Sequence, residues 1–272
     1  MNSSSAGPAL GTTPQGSRSE QDAARWVRSV FGRVAPRYDL ANHLLSANVD
    51  RYWRNRTVAR VRDILRRPES RVLDLACGTG DLLIALEREA GRRLIGSDFC
   101  HPMLTGARTK LHRGSLKSVL VESDALALPF PDSSLDLITI AFGYRNLANY
   151  RAGLVEMRRV LRPGGVLAIL EFTQPPNKVF ASVYNWYSRR VLPIIGGAIS
   201  GAPEAYRYLP ESVRKFPDAP ELARMMTDAG FSAVDWEYLT FGIAALHIGH
   251  AAVSHQPSAT PGIPHSKLSA DS

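Results

Sequence analysis

Strand and helix signals alternate along residues 71–176, and this alternation constrains the fold more than any other feature of the 272-residue chain. Apolar runs such as RVLDLAC and LDLITIAFG are typical of parallel strands that are buried on both faces. The stretches between them have helical spacing and end at Gly91 or at RPGG, residues that stop helices. We therefore expect an α/β fold with a doubly wound, mostly parallel sheet.

The C-terminal part of the chain changes character. A helix over 218–230 is followed by two strands within 231–250, joined at about 240–242 with no helix between them. The sheet should therefore have seven strands and end in an antiparallel hairpin. That arrangement is unusual for a nucleotide-binding Rossmann domain and ordinary for a methyltransferase that uses S-adenosylmethionine.

Composition separates the ends of the chain from its middle. Residues 1–22 and 253–272 are rich in Ser, Gly, Thr and Pro, without the charge and apolar run of a signal peptide, and are expected to be disordered tails. Between them we expect one domain, 23–252, with an N-terminal helical cap over 23–68 and an insertion over 175–216. Two cysteines form no disulfide framework, which favours a reducing, cytoplasmic setting.

The stretch DLACGTGD follows the first predicted strand and indicates a ligand site. Ala76, Gly78 and Gly80 alternate after Asp74, so the backbone can pass close to a ligand without a large side chain in the way. A dinucleotide site would need a third glycine where Leu83 stands. The D-x-A-x-G-x-G form instead matches the loop that binds S-adenosylmethionine, whose ammonium would pair with the Asp74 carboxylate.

Acidic residues end the next two predicted strands as well. Asp98 ends the second strand, where a carboxylate suits the two ribose hydroxyls of the cofactor, although a solvated strand-end acid is the alternative. Asp124 and Ala125 end the third strand, where the adenine edge would lie. Three acids at successive strand ends favour S-adenosylmethionine binding more than any of them does alone.

Longer stretches resemble the ubiquinone/menaquinone biosynthesis C-methyltransferase family. They are FGRVAPRYDLANHLLSANVDRYWR, LDLACGTGDLL, DALALPFPDSSLDLITIAFGYRNLAN, RVLRPGGVLAILEF and YRYLPESVRKFPD, within residues 25–250. The glycine loop and RPGG occur in many methyltransferases, whereas VAPRYDLANHLLS, FGYRN and YRYLPESV are particular to this family. The resemblance implies methylation of a ring carbon on a polyprenylated naphthoquinol or benzoquinol. The AALHIG ending resembles menaquinone-only members and slightly favours the naphthoquinol.

The resemblance also implies cofactor contacts at particular positions. These carry over to Thr79, Asp98, Asp124 and Ala125. A further contact falls on Ala141, where the related pattern has Ser. Because Ala141 has no hydroxyl, it could contact the cofactor only through its backbone.

The chemistry of the acceptor points to GYRN, after the fourth strand. Loss of a phenolic proton places negative charge on the ortho ring carbon, and a cation or donor near the oxygen stabilises that anion. Arg145 stands where it can do this, with Asn146 beside it, and the resemblance implies that this arginine helps a water to act as base. A strand-end salt bridge is the alternative for Arg145. In the cap, Tyr38 and Asn42 are expected to face the ligand, with packing the alternative for Tyr38.

Two histidines, His43 and His247, are further candidate bases, although the strand pattern around His247 favours a structural role. The spacing of Cys and His fits no metal site, so no metal is expected.

Two segments carry the excess positive charge of the chain. Residues 25–60 hold eight Arg and two Asp, and residues 178–215 hold six basic and two acidic residues. The second segment includes VFASVYNWYSRRVLPIIGGAISG, which is aromatic and apolar but too short to span a bilayer. It is typical of a segment in the membrane interface beside anionic headgroups, with a lid on the sheet, or a solvated face, as alternatives. We expect peripheral association with the inner face of the membrane.

Other functions remain open at this level. A soluble small-molecule O- or N-methyltransferase shares the cofactor half, and a non-catalytic S-adenosylmethionine-binding scaffold would bind without turnover. An RNA methyltransferase would use the basic segments for phosphate contacts, but the chain lacks the Asn/Asp-Pro-Pro-aromatic motif, so no nucleic-acid partner is expected. The choice between naphthoquinol and benzoquinol and the formation of a homodimer are also open.

Overall fold

One sheet with helices on both faces organises the chain. The computed structural model describes residues 11, 12, 14, 16–35, 46, 48–177, 181, 182, 190 and 203–252, without the side chains of 203–207. The strands are β1 (Val72–Leu75), β2 (Ile95–Asp98), β3 (Val119–Glu122), β4 (Leu135–Ala141), β5 (Leu161–Phe172), β6 (Phe231–Leu239) and β7 (Ala244–Ala251). The helices are α1 (Glu20–Val34), α2 (Val49–Leu65), α3 (Asp81–Ala90), α4 (His101–Arg113), α5 (Tyr150–Val160), α6 (Pro203–Lys215) and α7 (Ala219–Asp228), with short 3-10 turns at Tyr144–Asn146 and Thr240–Gly242.

The strand order places the site of ligand binding. The strands lie in the order β3-β2-β1-β4-β5-β7-β6, with β1 to β5 parallel and β7 antiparallel to both of its neighbours. The predicted seven-stranded fold and its C-terminal hairpin are confirmed. From β1 the chain builds β2 and β3 on one side, then returns to place β4 on the other. The gap beyond the carboxyl ends of β1 and β4 is therefore the switch point where open α/β sheets bind ligands.

Side-chain caps explain why several helices begin where they do. Ser19, Asn149 and Asp218 precede α1, α5 and α7, and each side chain accepts a hydrogen bond from the backbone N–H three residues on, at 3.1, 3.0 and 2.9 Å. Such caps satisfy donors that have no partner within the helix. They fix the starts of these helices against the sheet.

Apolar side chains pack on both faces of the sheet. On one face, Leu154 and Met157 of α5 and Met226 of α7 belong to the same buried cluster as Ile138 and Ile169. On the other face, α2 and α3 contribute Trp53, Val61, Leu82 and Leu86 to a cluster with Leu137 and Leu170. Burial on both faces explains why β4 and β5 read as continuous apolar runs.

Two boundaries differ from those predicted. The tail predicted over 1–22 is too long, because α1 begins at Glu20 and Thr12 is buried. The apolar stretch VLAILEF, residues 166–172, predicts the fifth strand, but this strand begins earlier, at Leu161, which pairs with Leu135 before a shift in register. RPGG is therefore part of β5 and interrupts its regular pairing with β4. The sequence instead predicted a loop at RPGG, between the helix and the strand.

Much of the predicted insertion and part of the cap fall outside the described residues. Of segment 178–215, the structure describes 181, 182, 190 and α6, and residues 36–45 of the cap are not described. Within the described part of the chain, no helix combines the length and apolar character needed to cross a bilayer.

Candidate active site

A cavity of about 410 Å³ opens at the carboxyl ends of β1, β2, β4 and β5. This volume is in the range of small-molecule and cofactor sites. Its walls come from the loops that follow these strands and from α1, α2 and α6, including residues 76–79, 98–99, 141–143 and 172–175. Helices of the N-terminal cap and the end of the insertion therefore close over the switch point of the sheet.

Asp74 lines this cavity, and only one of its two carboxylate oxygens has a hydrogen-bond partner among the described residues. Its side chain is 1% exposed, and Oδ1 accepts a 2.7 Å hydrogen bond from the Thr139 hydroxyl. No described residue donates to Oδ2. Burial raises the pKa of Asp74 to about 7. A buried carboxylate oxygen that faces a cavity is suited to a ligand cation, such as the ammonium of S-adenosylmethionine.

The loop after β1 presents bare backbone to the cavity. Gly78 has a φ of +56°, and a Cβ built there would meet nothing within 4 Å. Gly78 and Thr79 both line the cavity, whereas Gly80 lies just behind it as the N-cap of α3, with a φ of +87°. Lys110 of α4 donates a 3.1 Å hydrogen bond to the Thr79 hydroxyl and holds this loop against the helix. The predicted close approach between backbone and ligand is therefore available at Gly78.

Asp98 fixes the same loop from the neighbouring strand. Its Oδ2 accepts a hydrogen bond from the Gly78 N–H at 2.9 Å, and its Oδ1 accepts one from the Cys100 N–H at 2.9 Å. The side chain is buried and lines the cavity, and burial raises the pKa of Asp98 to about 6. Each carboxylate oxygen has a second lone pair, so Asp98 can still accept hydrogen bonds from two ribose hydroxyls.

Asp124 and Ala125 lie outside the residues that line the cavity. Asp124 is exposed, and its Oδ1 accepts a 2.9 Å hydrogen bond from the Leu126 N–H within its own turn. Ala125 packs against the core cluster beside α5. The structure therefore does not bring these two residues to the other cofactor candidates, and their predicted contact stays a prediction. Ala141, in contrast, lines the cavity at the end of β4.

Arg145 lines the cavity and also forms a buried ion pair. Its guanidinium lies 2.8 Å from Oε1 of Glu171, and its backbone N–H donates to Oε2 of the same carboxylate at 3.2 Å. Its guanidinium carbon lies 5.3 Å from the centre of the Phe172 ring. Burial raises the pKa of Glu171, and the charge of Arg145 opposes this rise. The salt bridge is thus present in a residue that also lines the cavity, and the predicted contact between Arg145 and the acceptor stays a prediction.

Aromatic rings form the wall beside this ion pair. The rings of Trp53, Phe142 and Phe172 lie with centroids 4.6 to 5.9 Å apart, and all three residues line the cavity. Such a wall suits a flat apolar ring. These residues lie in stretches that resemble the family, but the sequence predicted no role for them, because their separation in the chain hides the cluster.

Two further polar groups at this end were also missed. Thr173 is 3% exposed, lines the cavity, and its hydroxyl has no hydrogen-bond partner among the described residues. Tyr208 of α6 donates a 3.1 Å hydrogen bond to Oδ1 of Asn146, the predicted partner of Arg145. The signal for Tyr208 was its place in YRYLPESV, which marked a family without indicating a function.

The candidate residues of the cap and the candidate bases have different outcomes. Tyr38, Asn42 and His43 lie outside the described residues. His247 is buried in β7, where its Nε2 lies 2.9 Å from the Ala219 carbonyl oxygen and burial lowers its pKa to about 4. It is not among the cavity residues, which favours the structural role. Within the described ranges, no cluster of three or more His, Cys, Asp or Glu is arranged to hold a metal ion.

Several arginines of the basic segment 25–60 are paired within the protein. Arg56 and Arg60 of α2 form ion pairs with Glu237 and Asp235 of β6, at 2.8 and 2.7 Å. Arg54 pairs with Asp50 on the same helix, at the cavity wall. These pairs hold the cap helix on the sheet, so part of this positive charge serves the fold rather than an external surface.

The residues at the base of the cavity fit S-adenosylmethionine. Asp74 offers an uncommitted carboxylate oxygen for a cation, Gly78 offers space beside its backbone, and Asp98 offers acceptors for a diol. Arg145, Thr173 and the aromatic wall line the same cavity and are suited to an aromatic molecule that bears oxygens. The cavity can therefore hold a cationic methyl donor next to an apolar acceptor.

Comparisons with solved structures show the same fold. A SAM-dependent methyltransferase from Thermotoga maritima superposes with a TM-score of 0.57 at 17% identity, covering 83% of this chain and 99% of that one. A phosphoethanolamine N-methyltransferase from Haemonchus contortus, solved with S-adenosylhomocysteine, gives 0.53 at 14% identity and covers 73% of this chain and 53% of that one.

Curated relatives are much closer in sequence. Demethylmenaquinone methyltransferases of Thermus thermophilus and Deinococcus radiodurans are 52% and 47% identical, over 81% and 85% of this chain and 99% and 94% of theirs. A ubiquinone/menaquinone biosynthesis C-methyltransferase of Paracoccus denitrificans is 43% identical, over 85% of this chain and 92% of its own. The family model described as the ubiE/COQ5 methyltransferase family matches residues 17–251. The chain therefore belongs to the ubiE/COQ5 family of methyltransferases.

Proposed function

We propose that this enzyme transfers a methyl group from S-adenosylmethionine to a ring carbon of a polyprenylated quinol, converting demethylmenaquinol to menaquinol. One observation carries the proposal: Arg145, paired with the buried Glu171, lines the cavity together with the aromatic cluster of Trp53, Phe142 and Phe172. A cation beside aromatic rings suits an acceptor that is flat, apolar and develops charge on oxygen.

The chain's residues would act mainly by positioning and by electrostatics. The bound sulfonium supplies an electrophilic methyl group, so the protein must align a nucleophilic carbon with it. Such alignment contributes up to about 7–11 kcal/mol in well-oriented reactions. The phenolic proton would pass to a water molecule, and the Arg145 guanidinium would stabilise the quinolate oxygen that results. After the ring carbon gains the methyl group, it would lose its own proton to water, which restores the aromatic ring. Asn146, the next residue, adds an amide donor on the same cavity wall.

Glu171 has a supporting role in this arrangement. It accepts hydrogen bonds from both the side chain and the backbone N–H of Arg145, so it fixes the direction of the guanidinium. It also offsets part of the positive charge while the site is empty of an anion. When a quinolate forms beside it, the preorganised guanidinium needs little rearrangement.

The names of the relatives support the naphthoquinol as the first choice of acceptor. Relatives at 52%, 47% and 45% identity are called demethylmenaquinone methyltransferase. A benzoquinol of ubiquinone biosynthesis is the second candidate, because relatives at 43% identity carry the combined ubiquinone/menaquinone name. Both rings present an oxygen ortho to the carbon that is methylated.

A polyprenyl tail would keep this acceptor in a bilayer, which requires the enzyme to visit a membrane surface. Leu209, Pro210 and Val213 of α6, at the end of the segment 178–215, line the cavity. The apolar, basic-flanked stretch before α6 would then rest on the cytoplasmic face of the membrane and lead the tail into the cavity. Because these residues of α6 line the cavity, they also support the alternative, in which the segment acts as a lid over the site.

The test is a side-by-side assay of reduced demethylmenaquinone and of the ubiquinone-pathway benzoquinol precursor, each with S-adenosylmethionine in detergent. We expect faster methylation of the naphthoquinol and loss of activity in Arg145→Ala, with cofactor affinity retained. Faster methylation of the benzoquinol would reassign the acceptor. Cofactor binding without methylation of either quinol would favour the scaffold, or a soluble O- or N-methyltransferase.

A further inference from the structure

A chain of hydrogen bonds runs from the N-terminal segment to Asn146 at the acceptor end of the cavity. The Thr12 hydroxyl lies 2.6 Å from the Tyr208 hydroxyl, and Tyr208 donates to Oδ1 of Asn146 at 3.1 Å. Thr12 and Tyr208 are 6% and 8% exposed. Three groups from distant parts of the sequence therefore form one polar chain, which runs from the buried Thr12 and Tyr208 to the partly buried Asn146 at the cavity wall.

The direction of this chain follows from its donors. A tyrosine hydroxyl has one proton, and here that proton goes to Asn146. The Thr12 hydroxyl must then donate its own proton to the Tyr208 oxygen. Each bond polarises the next, so the Thr12 bond strengthens the one that Tyr208 makes.

The result is a fixed orientation of the Asn146 amide. Its Oδ1 is held by Tyr208, and its Nδ2 donates to the Phe142 carbonyl oxygen at 3.3 Å. An amide nitrogen carries a second N–H, for which the described residues provide no acceptor. Because Asn146 lines the cavity next to Arg145, this second N–H is a donor for an oxygen of a bound acceptor.

Backbone contacts hold Thr12 in place. Its N–H donates to the Leu147 carbonyl oxygen at 2.8 Å. A Cβ on the preceding residue, Gly11, would lie 1.9 Å from the Ala148 carbonyl oxygen, so only glycine fits there. The ring of Tyr208 also packs against Trp26, with centroids 4.9 Å apart. Gly11 and Thr12 precede residues 17–251, which the family model matches.

We infer that Thr12 and Tyr208 are positioning residues that turn the Asn146 amide so that its free N–H donates to a ring oxygen of the acceptor. The N-terminal extension thereby becomes part of the active site, and Tyr208 is the connection between them. The identity of the ring oxygen rests on the proposed function, whereas the orientation of the amide does not.

Two measurements on the full chain with S-adenosylhomocysteine bound test this inference separately from turnover. The first is the affinity for the reduced demethylmenaquinone acceptor, followed by tryptophan fluorescence. The second is the side-chain amide signal of Asn146 in protein labelled with ¹⁵N-asparagine, assigned by its loss in Asn146→Ala. The variants are Thr12→Val, Thr12→Ser, Tyr208→Phe and the Thr12→Val/Tyr208→Phe double variant. Thr227→Val is the control, since this hydroxyl bonds only within α7.

We expect Thr12→Val and Tyr208→Phe each to weaken acceptor binding about three- to tenfold, as loss of one neutral hydrogen bond does. The double variant should match Tyr208→Phe, because Thr12 acts only through Tyr208. Thr12→Ser should restore wild-type affinity, and the Asn146 amide signal should shift in Thr12→Val but not in Thr12→Ser or Thr227→Val.

An unshifted Asn146 signal in Thr12→Val, or additive losses in the double variant, would overturn the inference. A shifted amide signal in a protein that does not bind the quinol would leave the positioning role intact. In that case the proposed acceptor would be wrong.

Discussion

Replacing Asp74 by Asn should stabilise the cofactor-free protein and weaken cofactor binding at the same time. Burial raises the pKa of Asp74 from 3.8 to about 7. The carboxyl is therefore easier to protonate in the folded than in the unfolded protein, so folding gains stability as the pH falls below 7 and lacks that gain at pH 8. The difference between the two pKa values, about three, means that the buried, ionised carboxylate lowers the free energy of unfolding by about 4 kcal/mol at pH 8.

The substitution does not recover all of this free energy. An Asn amide keeps the acceptor for the Thr139 hydroxyl, but its NH₂ group would point where Oδ2 has no described donor. An unsatisfied buried donor costs about 1–3 kcal/mol. We therefore expect the free energy of unfolding of Asp74→Asn to be about 1–3 kcal/mol higher than that of the wild type at pH 8, so that the variant is the more stable protein. At pH 5 the wild-type carboxyl is protonated and this advantage should disappear.

Cofactor binding should respond in the opposite direction. Removal of one partner from a buried charge pair costs about 2–5 kcal/mol, so the affinity for S-adenosylmethionine should fall at least about thirtyfold at pH 8. In the wild type, the affinity should also fall as the pH drops below 7, because the ammonium pairs with the ionised carboxylate.

Urea unfolding at pH 8 and pH 5, with calorimetric titration of S-adenosylmethionine, measures both effects. Asp63→Asn, on the exposed side of α2, is the matched control and should change neither. The reasoning is refuted if Asp74→Asn is less stable than the wild type at pH 8 without cofactor. It is equally refuted if this variant binds S-adenosylmethionine as tightly as the wild type.

Three further substitutions test other parts of the site. Glu171→Gln leaves the buried Arg145 guanidinium without its carboxylate, so urea unfolding should show a loss of about 3 kcal/mol; unchanged stability would mean that the pair is not buried in solution. Thr173→Val should lower kcat/KM for the quinol about three- to tenfold with cofactor affinity unchanged, while Thr173→Ser retains activity. Equal activity of the Val variant would show that this hydroxyl does not meet the acceptor. Gly143→Ala places a Cβ 2.5 Å from that of Ala76, so a loss of about 1–3 kcal/mol is expected in unfolding, and a neutral effect would contradict this close packing.

The cofactor end was largely predictable because its signals are local. Asp74, Gly78 and Asp98 stand at strand ends that the apolar pattern defines, and parallel strands bring their carboxyl ends to one edge of the sheet. Asp124 shows the limit of this reasoning. It also follows a strand, β3 at the edge of the sheet, but its carboxylate accepts a hydrogen bond from the Leu126 N–H in its own turn, and only coordinates reveal that contact.

The acceptor end depends on contacts between distant residues. Thr12 and Tyr208 are separated by 196 positions, and Thr12 lies in a segment whose composition predicted disorder. Composition reports how little apolar surface a segment can bury. It does not report that one backbone hydrogen bond and one hydroxyl can dock such a segment onto an existing surface. Glu171 was missed for a related reason, because its strand reads as apolar and its partner is 26 positions away.

The central claim is carbon methylation of a quinol, and the position of the transferred methyl group tests it most directly. The wild-type protein would be incubated with ¹³C-methyl S-adenosylmethionine and reduced demethylmenaquinone, and the product examined by NMR. We predict a ¹³C methyl signal at the shift of a methyl group on an aromatic ring carbon. A signal at the shift of a methoxy group, or no labelled quinol at all, would contradict the claim.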